Sequence, residues 1–150
     1  MALACNEQAI PLIDNDFPAP QEGFVLTHFL VVSDQARSRE WYQRVFDANV
    51  LIEQNPVIMR VANSWIILNE GGGPTEDKPD VILDIPSDPN RVSAFLNVRV
   101  ADIHAMRDKW RDLGVDFLTD PVEFPSEIRA YLRDPDGHLI EVGQSKTMPG

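Results

Sequence analysis

The sequence predicts an α+β fold built from two tandem βαβββ modules. Two observations carry this prediction: a degenerate internal repeat, and a turn-and-strand motif near the C-terminal end of the chain. Placing Val32-Ser33-Asp34 on Val100-Ala101-Asp102 also places Tyr42 on Trp110. A repeat of this length indicates one structural unit that is used twice.

The motif runs from Arg133 to Val142 and begins with a tight turn. Pro135 sets the backbone for a turn, and the side chains of Asp134 and Asp136 can bond nearby amides. Gly137 tolerates a positive φ, so the segment from Asp134 to Gly137 predicts a hairpin connection.

The strand after this turn carries one carboxylate among apolar neighbours. Because side chains alternate along a strand, Leu139, Glu141 and Gly143 share one face. If that face is buried, Glu141 requires a metal ion, a cation or a proton, since a bare buried charge is costly.

The first module is predicted from a strand, a helix and three short apolar runs. Phe24 to Val32 forms the strand, and Ser33-Asp34 caps a helix whose apolar stripe we expect in the core. Turn-prone residues separate the runs that follow. The stripe consists of Trp41, Tyr42, Val45 and Phe46, and the runs lie at about Val50–Glu53, Val57–Val61 and Trp65–Leu68.

The second module repeats this order after a Gly/Pro-rich linker. The linker, Glu70 to Asn90, contains one possible short strand at Val81–Ile85, and its glycines lack the frame of a phosphate-binding loop. The module itself is predicted from a strand at Ala94–Val100, a cap at Asp102, a helical face of Ile103, Met106, Trp110 and Leu113 ended by Gly114, and strands near Val115–Leu118, Ile128–Arg133 and His138–Gly143.

Composition predicts one soluble domain between two short flanking segments. The predicted segments are an extended N-terminal arm at residues 1–23, the domain at 24–145 with modules at about 24–69 and 92–145, and a tail at 146–150. A net charge of -11 argues against nucleic acid or an anionic membrane as a partner. A single cysteine, Cys5, and the absence of a signal-like start favour a cytoplasmic protein.

The residues from Phe24 to Gln144 resemble the vicinal oxygen chelate superfamily, the glyoxalase/bleomycin resistance protein/dioxygenase fold. The motifs that carry the resemblance are Val-Ser-Asp…Arg-Ser…Trp-Tyr in the first module and Tyr-Leu-Arg-Asp-Pro-Asp-Gly-His-Leu-Ile-Glu-Val in the second. The resemblance implies curved mixed sheets around a central cavity, and commonly a homodimer. It leaves the reaction open, because the superfamily includes isomerases, epimerases, dioxygenases, thiol transferases and metal-free drug-binding proteins.

Enzymes of this superfamily hold a divalent metal with His, Gln or Glu side chains on the first and last strands of the modules. In register, those four positions are Thr27, Ile67, Phe95 and Glu141, of which one carries such a ligand. His28 lies one residue from the expected position, and a one-residue slip reverses the face of a strand side chain. A bulge in the first strand would restore a His28–Glu141 pair.

These positions predict a small-molecule binding protein of the bleomycin-resistance kind, with an organic ligand in the cavity between the modules and no metal or other cofactor. Glu141 is the candidate catalytic or anchoring residue, and Arg99 either pairs with it, clamps an anionic ligand or reaches solvent. The remaining predicted ligand-binding residues are Thr27, Ile67, Phe95, Asn97 and Tyr131.

Two other functions stay open at this point. In a metal-dependent lyase, isomerase or dioxygenase, His28 and Glu141 would hold one divalent ion that polarises the substrate. In a dimeric interaction module, the N-terminal arm would reach a partner subunit. Whether the protein is an enzyme is therefore undecided from the sequence.

Overall fold

A computed structural model describes residues 17–146, and the chain divides into two compact units with the boundary between Leu83 and Asp84. Most of the predicted N-terminal arm and the last four residues lie outside the described range. Residues 17–23 form bends and irregular backbone. No helix within residues 17–146 combines the length and the apolar character needed to cross a membrane.

The first unit contains one helix and a four-stranded mixed sheet. The sheet order is β1-β4-β3-β2, with β1 parallel to β4 and the other neighbours antiparallel. The elements are β1 (His28–Val32), α1 (Gln35–Phe46), β2 (Asn49–Glu53), β3 (Val57–Val61) and β4 (Ser64–Glu70).

Local chemistry explains where α1 begins and which side of it is buried. The Asp34 side chain accepts a hydrogen bond from the Arg37 backbone N–H at 3.1 Å, which confirms the predicted N-cap. Trp41, Tyr42 and Val45 of the predicted apolar stripe are buried. The sheet contributes a matching set of buried side chains that share one face, namely Val57, Met59, Ile66 and Leu68.

The second unit repeats this arrangement, with the sheet order β5-β8-β7-β6 and a parallel β5–β8 pair. The Asp102 side chain caps its helix by accepting from the Ala105 N–H at 3.1 Å. The elements are β5 (Leu96–Arg99), α2 (Ile103–Asp112), β6 (Val122–Glu123), β7 (Glu127–Arg133) and β8 (Leu139–Ser145). Two units with one element order and one sheet topology confirm the predicted tandem βαβββ fold.

Three predicted strands differ from the structure. Residues 24–27 precede β1 without joining a sheet, and Leu83 makes only an isolated bridge to Gly72. Of the strand predicted at Val115–Leu118, only an isolated bridge between Phe117 and Leu132 forms, and the Leu118 N–H donates to the Tyr131 carbonyl at 2.9 Å. The Val115 N–H donates to the Trp110 carbonyl at 3.0 Å and closes the end of α2, so it is unavailable to a sheet ladder. The missing strand is the two-residue β6, which lies after Pro121.

Candidate functional site: the Glu141 face of the second sheet

The turn that leads into the site is held by a buried carboxylate. Asp134 is buried, and its Oδ1 accepts hydrogen bonds from the backbone N–H groups of Asp136 and His138, both at 2.9 Å. The Asp134 N–H donates to the His138 carbonyl at 3.0 Å, and Gly137 has a φ of +92°. These contacts confirm the predicted hairpin connection and align β7 with β8.

Arg133 ties the same turn to the segment before β5. Its Nη1 donates to the carbonyls of Pro89, at 2.7 Å, and Gly137, at 3.2 Å, and its Nη2 donates to Asn90 Oδ1 at 2.9 Å. Because these hydrogen bonds engage both terminal nitrogens of the guanidinium, we assign Arg133 a structural role in stabilising the turn.

Glu141 lies at the centre of one face of the second sheet and is 6% exposed. In the ladder it stands opposite Asn97 of β5 and Tyr131 of β7. Its Oε1 accepts a hydrogen bond from the Tyr131 hydroxyl at 3.0 Å, and its Oε2 lies 3.5 Å from Arg99 Nη1. A phenol and a guanidinium therefore compensate the buried carboxylate.

Arg99 reaches across the sheet and joins Glu141 to a second acid. Its Nη2 donates to Glu127 Oε1 at 3.0 Å and to Ser145 Oγ at 3.2 Å. The guanidinium lies over Gly143, where an added Cβ would collide with Arg99 Nη1 and Cζ. The missing side chain at position 143 thus makes room for this contact.

A second arginine borders the same cluster. Arg129 Nη1 lies 3.4 Å from Glu127 Oε2, and the Arg129 guanidinium stacks over the Phe124 ring at 4.0 Å from its centroid. Glu127 is consequently shared by Arg99 and Arg129, so the two acids and two arginines of this face balance in formal charge.

An accessible aromatic and an amide flank the buried acid. The Phe95 ring packs edge-on against Tyr131, with 6.2 Å between centroids, and remains 42% exposed. Asn97 is also exposed. The Glu141 face therefore offers an apolar surface beside a buried acceptor, a combination typical of ligand sites.

The environment of Tyr131 raises its pKa above the ordinary value of 10.0. Partial burial is the main cause, and the hydrogen bond to Glu141 adds to it, because both favour the neutral phenol. The Tyr131 hydroxyl therefore stays protonated and keeps donating to Glu141 throughout the neutral range.

This shift predicts an alkaline loss of stability that depends on Tyr131. Because the unfolded chain releases the phenolic proton at a lower pH, the contribution is fully present below about pH 10 and is lost as the pH rises through the folded pKa. Urea unfolding between about pH 8 and 11 should show a steeper decline in wild type than in Tyr131→Phe. Parallel declines in the two proteins would contradict the assigned environment.

In the first sheet, the positions equivalent to Asn97 and Glu141 of the second sheet carry no carboxylate. Phe29 pairs with Ile67 as Asn97 pairs with Glu141, so Ile67 is the counterpart of Glu141. Thr27 and Ile67 are half-buried. The β1–β4 ladder runs in unbroken register, so His28, opposite Ile66, lies on the other face of the sheet from Ile67.

The donor set does not fit a divalent metal ion. Of the four family positions in register, Glu141 alone carries a side chain that can ligate a metal ion, because the others are Thr27, Ile67 and Phe95. Within residues 17–146, no three or more His, Cys, Asp or Glu side chains group so as to hold an ion. Two or fewer protein ligands are few for a tightly held ion.

The structure adds two residues that the sequence did not single out, Glu127 and Ser145. They stand opposite each other at the ends of β7 and β8, one and two positions beyond the predicted strand ends. Period-two alternation from Glu141 points to both of them once the strands are extended.

A second polar cluster, around the buried Gln35, joins elements of the first unit. Gln35 Nε2 lies within 3.2 Å of oxygens on Asn55, Asn69 and Glu70, and its Oε1 accepts from the Asn55 N–H at 2.8 Å. In the second unit the glutamine lies on the strand instead: Gln144 of β8, the counterpart of Glu70, accepts from the Ile103 N–H at 2.8 Å. Both contacts fasten a helix start to the end of a strand, which is a structural role.

A surface recess of about 360 Å³ lies elsewhere in the second unit. Its Asp120 is already paired with Arg107 at 2.8 Å and with Arg111 at 3.3 Å. The lining residues are Arg111, Val115, Asp116, Phe117, Thr119 and Asp120.

Solved structures of the same fold come from several bacteria. A glyoxalase/bleomycin resistance protein/dioxygenase from Nocardioides is 17% identical, with a TM-score of 0.68, covering 88% of this chain and 91% of its own. TnmS3, an antibiotic binding protein from Streptomyces sp. CB03234, is 19% identical, with a TM-score of 0.60 and coverage of 85% and 100%. The fosfomycin resistance protein FosX from Listeria monocytogenes is 17% identical, with a TM-score of 0.60 and coverage of 83% and 92%.

Two units that share one βαβββ topology define the class of protein. The family model of that class matches residues 23–142. The chain belongs to the Glyoxalase/Bleomycin resistance protein/Dioxygenase superfamily.

Proposed function

We propose that this protein binds a small organic molecule on the Glu141 face of the second sheet, without a divalent metal. One observation carries the proposal: the buried Glu141 carboxylate is held by Tyr131 and Arg99, where a metal-dependent relative would hold an ion. Glu141 is the polar anchor in this proposal, and Phe95 is the apolar contact.

The anchor keeps capacity for a ligand. An ionised carboxylate offers about four lone-pair positions, and Glu141 uses one at 3.0 Å and another at a long 3.5 Å. The exposed Phe95 ring and the Asn97 amide lie on the same face. These features suit an aromatic molecule that donates an O–H or N–H hydrogen bond.

The relatives support the class of ligand only in general terms. One structural neighbour is an antibiotic binding protein and another is a fosfomycin resistance protein. The proposed ligand for this chain is accordingly a small organic molecule, with Thr27 and Ile67 as the predicted ligand residues of the first unit. A homodimer and a cytoplasmic location remain predictions, as does the absence of nucleic-acid and membrane partners.

A matched pair of probes tests the anchor. 2-Naphthol carries a hydroxyl donor, whereas 2-methoxynaphthalene lacks it. Because a hydrogen bond to a charged group contributes about 1.5–3 kcal/mol, wild type should bind 2-naphthol about tenfold or more tightly in a fluorescence titration. Glu141→Gln should reduce this preference, because its amide oxygen is a weaker acceptor than the carboxylate, and Phe95→Ala should weaken both probes.

Glu123→Gln is the matched control, because Glu123 is an exposed glutamate on β6 that pairs with Lys146. It removes the same charge away from Glu141 and should leave both affinities unchanged. No binding of either probe, or equal preference in wild type and Glu141→Gln, would contradict the proposal.

A metal-dependent lyase, isomerase or dioxygenase is the second candidate. The observation that favours it is the position of Glu141, which in register is the family's ligand position on the last strand of the second module. It ranks second because His28 stands on the opposite face of its sheet from Ile67, the counterpart of Glu141.

A further inference from the structure

We infer that Arg99 is a built-in cation that takes the place of a metal ion beside Glu141 and excludes divalent metals from this face. The inference goes beyond ligand binding, because it assigns Arg99 as a specificity-determining residue. It rests on the contacts of the guanidinium, on its position over Gly143 and on the charges around it.

The hydrogen-bond acceptors around the Arg99 guanidinium are all side-chain oxygens. They are Glu141 Oε2 at 3.5 Å, Glu127 Oε1 at 3.0 Å and Ser145 Oγ at 3.2 Å. Carboxylate and hydroxyl oxygens are ligands that hard divalent cations such as Mn²⁺ also accept. The guanidinium therefore occupies a position whose neighbours suit a cation.

The backbone makes room for this arrangement. Gly143 stands opposite Arg99 in β5 and opposite Arg129 in β7. A Cβ at position 143 would overlap Arg99 Nη1 and Cζ, so any other residue would push the guanidinium away from the two acids. Because Gly143 has no side chain, the Arg99 guanidinium can lie over β8 and reach both acids.

Electrostatics explains why Arg99 would keep a metal out. An arginine side chain stays protonated in proteins, so it cannot give way by losing its charge as a lysine can. A divalent ion at Glu141 would meet this positive charge at contact distance, and like charges at that distance disfavour each other even though the Arg99 side chain is 44% exposed. Without Arg99, Glu127 and Glu141 would lack their shared cation.

Mn²⁺ binding followed by electron paramagnetic resonance tests the inference on the full-length protein. Wild type and Arg44→Ala should bind Mn²⁺ equally weakly, since Arg44 is an exposed arginine paired with Glu40. Arg99→Ala should gain at least about tenfold in Mn²⁺ affinity, because it removes a like charge at contact distance. Arg99→Ala/Glu141→Gln should lose that gain.

Two further variants guard against a folding defect. Arg99→Met keeps most of the aliphatic volume, and Gly143→Ala keeps every polar group while displacing the guanidinium, so both should also gain Mn²⁺ affinity. An unchanged affinity in folded Arg99 variants would overturn the inference, as would a gain that survives Glu141→Gln. Organic ligands are absent from this assay, so its failure leaves the proposed ligand binding standing.

Discussion

Replacing Tyr42 by alanine is expected to lower the free energy of unfolding by about 3–5 kcal/mol. Tyr42 is fully buried, and its ring packs on Trp41 at 4.8 Å and on Phe46 at 5.5 Å between centroids. The truncation removes these contacts and leaves a cavity that α1 and its sheet can close only in part. Urea unfolding monitored by circular dichroism measures the loss.

Glu40→Ala on the same helix provides the control. Glu40 is exposed and makes an i,i+4 ion pair with Arg44, so its removal should change the free energy of unfolding by no more than about 0.5 kcal/mol. A Tyr42→Ala loss as small as the Glu40→Ala loss would show that the predicted stripe is not the core of the first unit.

Replacing Asp134 by alanine is expected to cost about 2–4 kcal/mol, because it leaves two backbone N–H groups without their charged acceptor. Those groups belong to Asp136 and His138, and each lies 2.9 Å from Asp134 Oδ1. The same turn sets the register of β7 against β8, so a loosened turn should also weaken 2-naphthol binding at Glu141.

Asp134→Asn removes the negative charge of the side chain but keeps an acceptor oxygen, whereas Asp134→Ala removes both. The amide oxygen can still accept from the two N–H groups, so this variant should lose clearly less stability than Asp134→Ala in the same unfolding experiment. Equal losses in the two variants would contradict the assigned role of the Oδ1 hydrogen bonds.

Much of the fold was predictable because its determinants are local. Asp34 and Asp102 each precede an apolar-periodic run, and both cap a helix in the structure. The turn at Asp134–Gly137 was predictable from residue types that favour it. Alternation placed Leu139, Glu141 and Gly143 on one face of their strand, and the structure adds that Tyr131 stands opposite Glu141 on that face.

Other parts depended on interactions that a local pattern does not contain. The segment Val115–Leu118 has a strand-like composition, yet the Val115 N–H is used to close α2. The β6 strand has only two residues, Val122 and Glu123, and is too short to show an alternating pattern. Glu127 and Ser145 were missed because backbone pairing continues past the apolar residues that mark a strand in sequence.

The sequence indicated which residues share the site better than it indicated the contacts between them. In sequence, His28 lies one residue from the family's ligand position. The regular β1–β4 ladder confirms that His28 lies on the opposite face of the sheet from Ile67. The pairing of Arg99 with Glu141 was one of the alternatives left open by the sequence. The second pairing of Arg99, with Glu127, was not predicted, and the glycine at position 143 leaves room for the guanidinium there. A ligand's identity lies outside such reasoning, because one acid and one aromatic ring accept many molecules.

The central claim, metal-free binding of an organic molecule at Glu141, is tested most directly by measuring 2-naphthol binding after exhaustive chelation. The protein is dialysed against a chelator, its metal content is measured by elemental analysis, and the titration is repeated with and without added Mn²⁺ or Zn²⁺. The 2-naphthol affinity should be the same before chelation, after chelation and with metal added. Binding that disappears on chelation and returns with the metal would contradict the central claim.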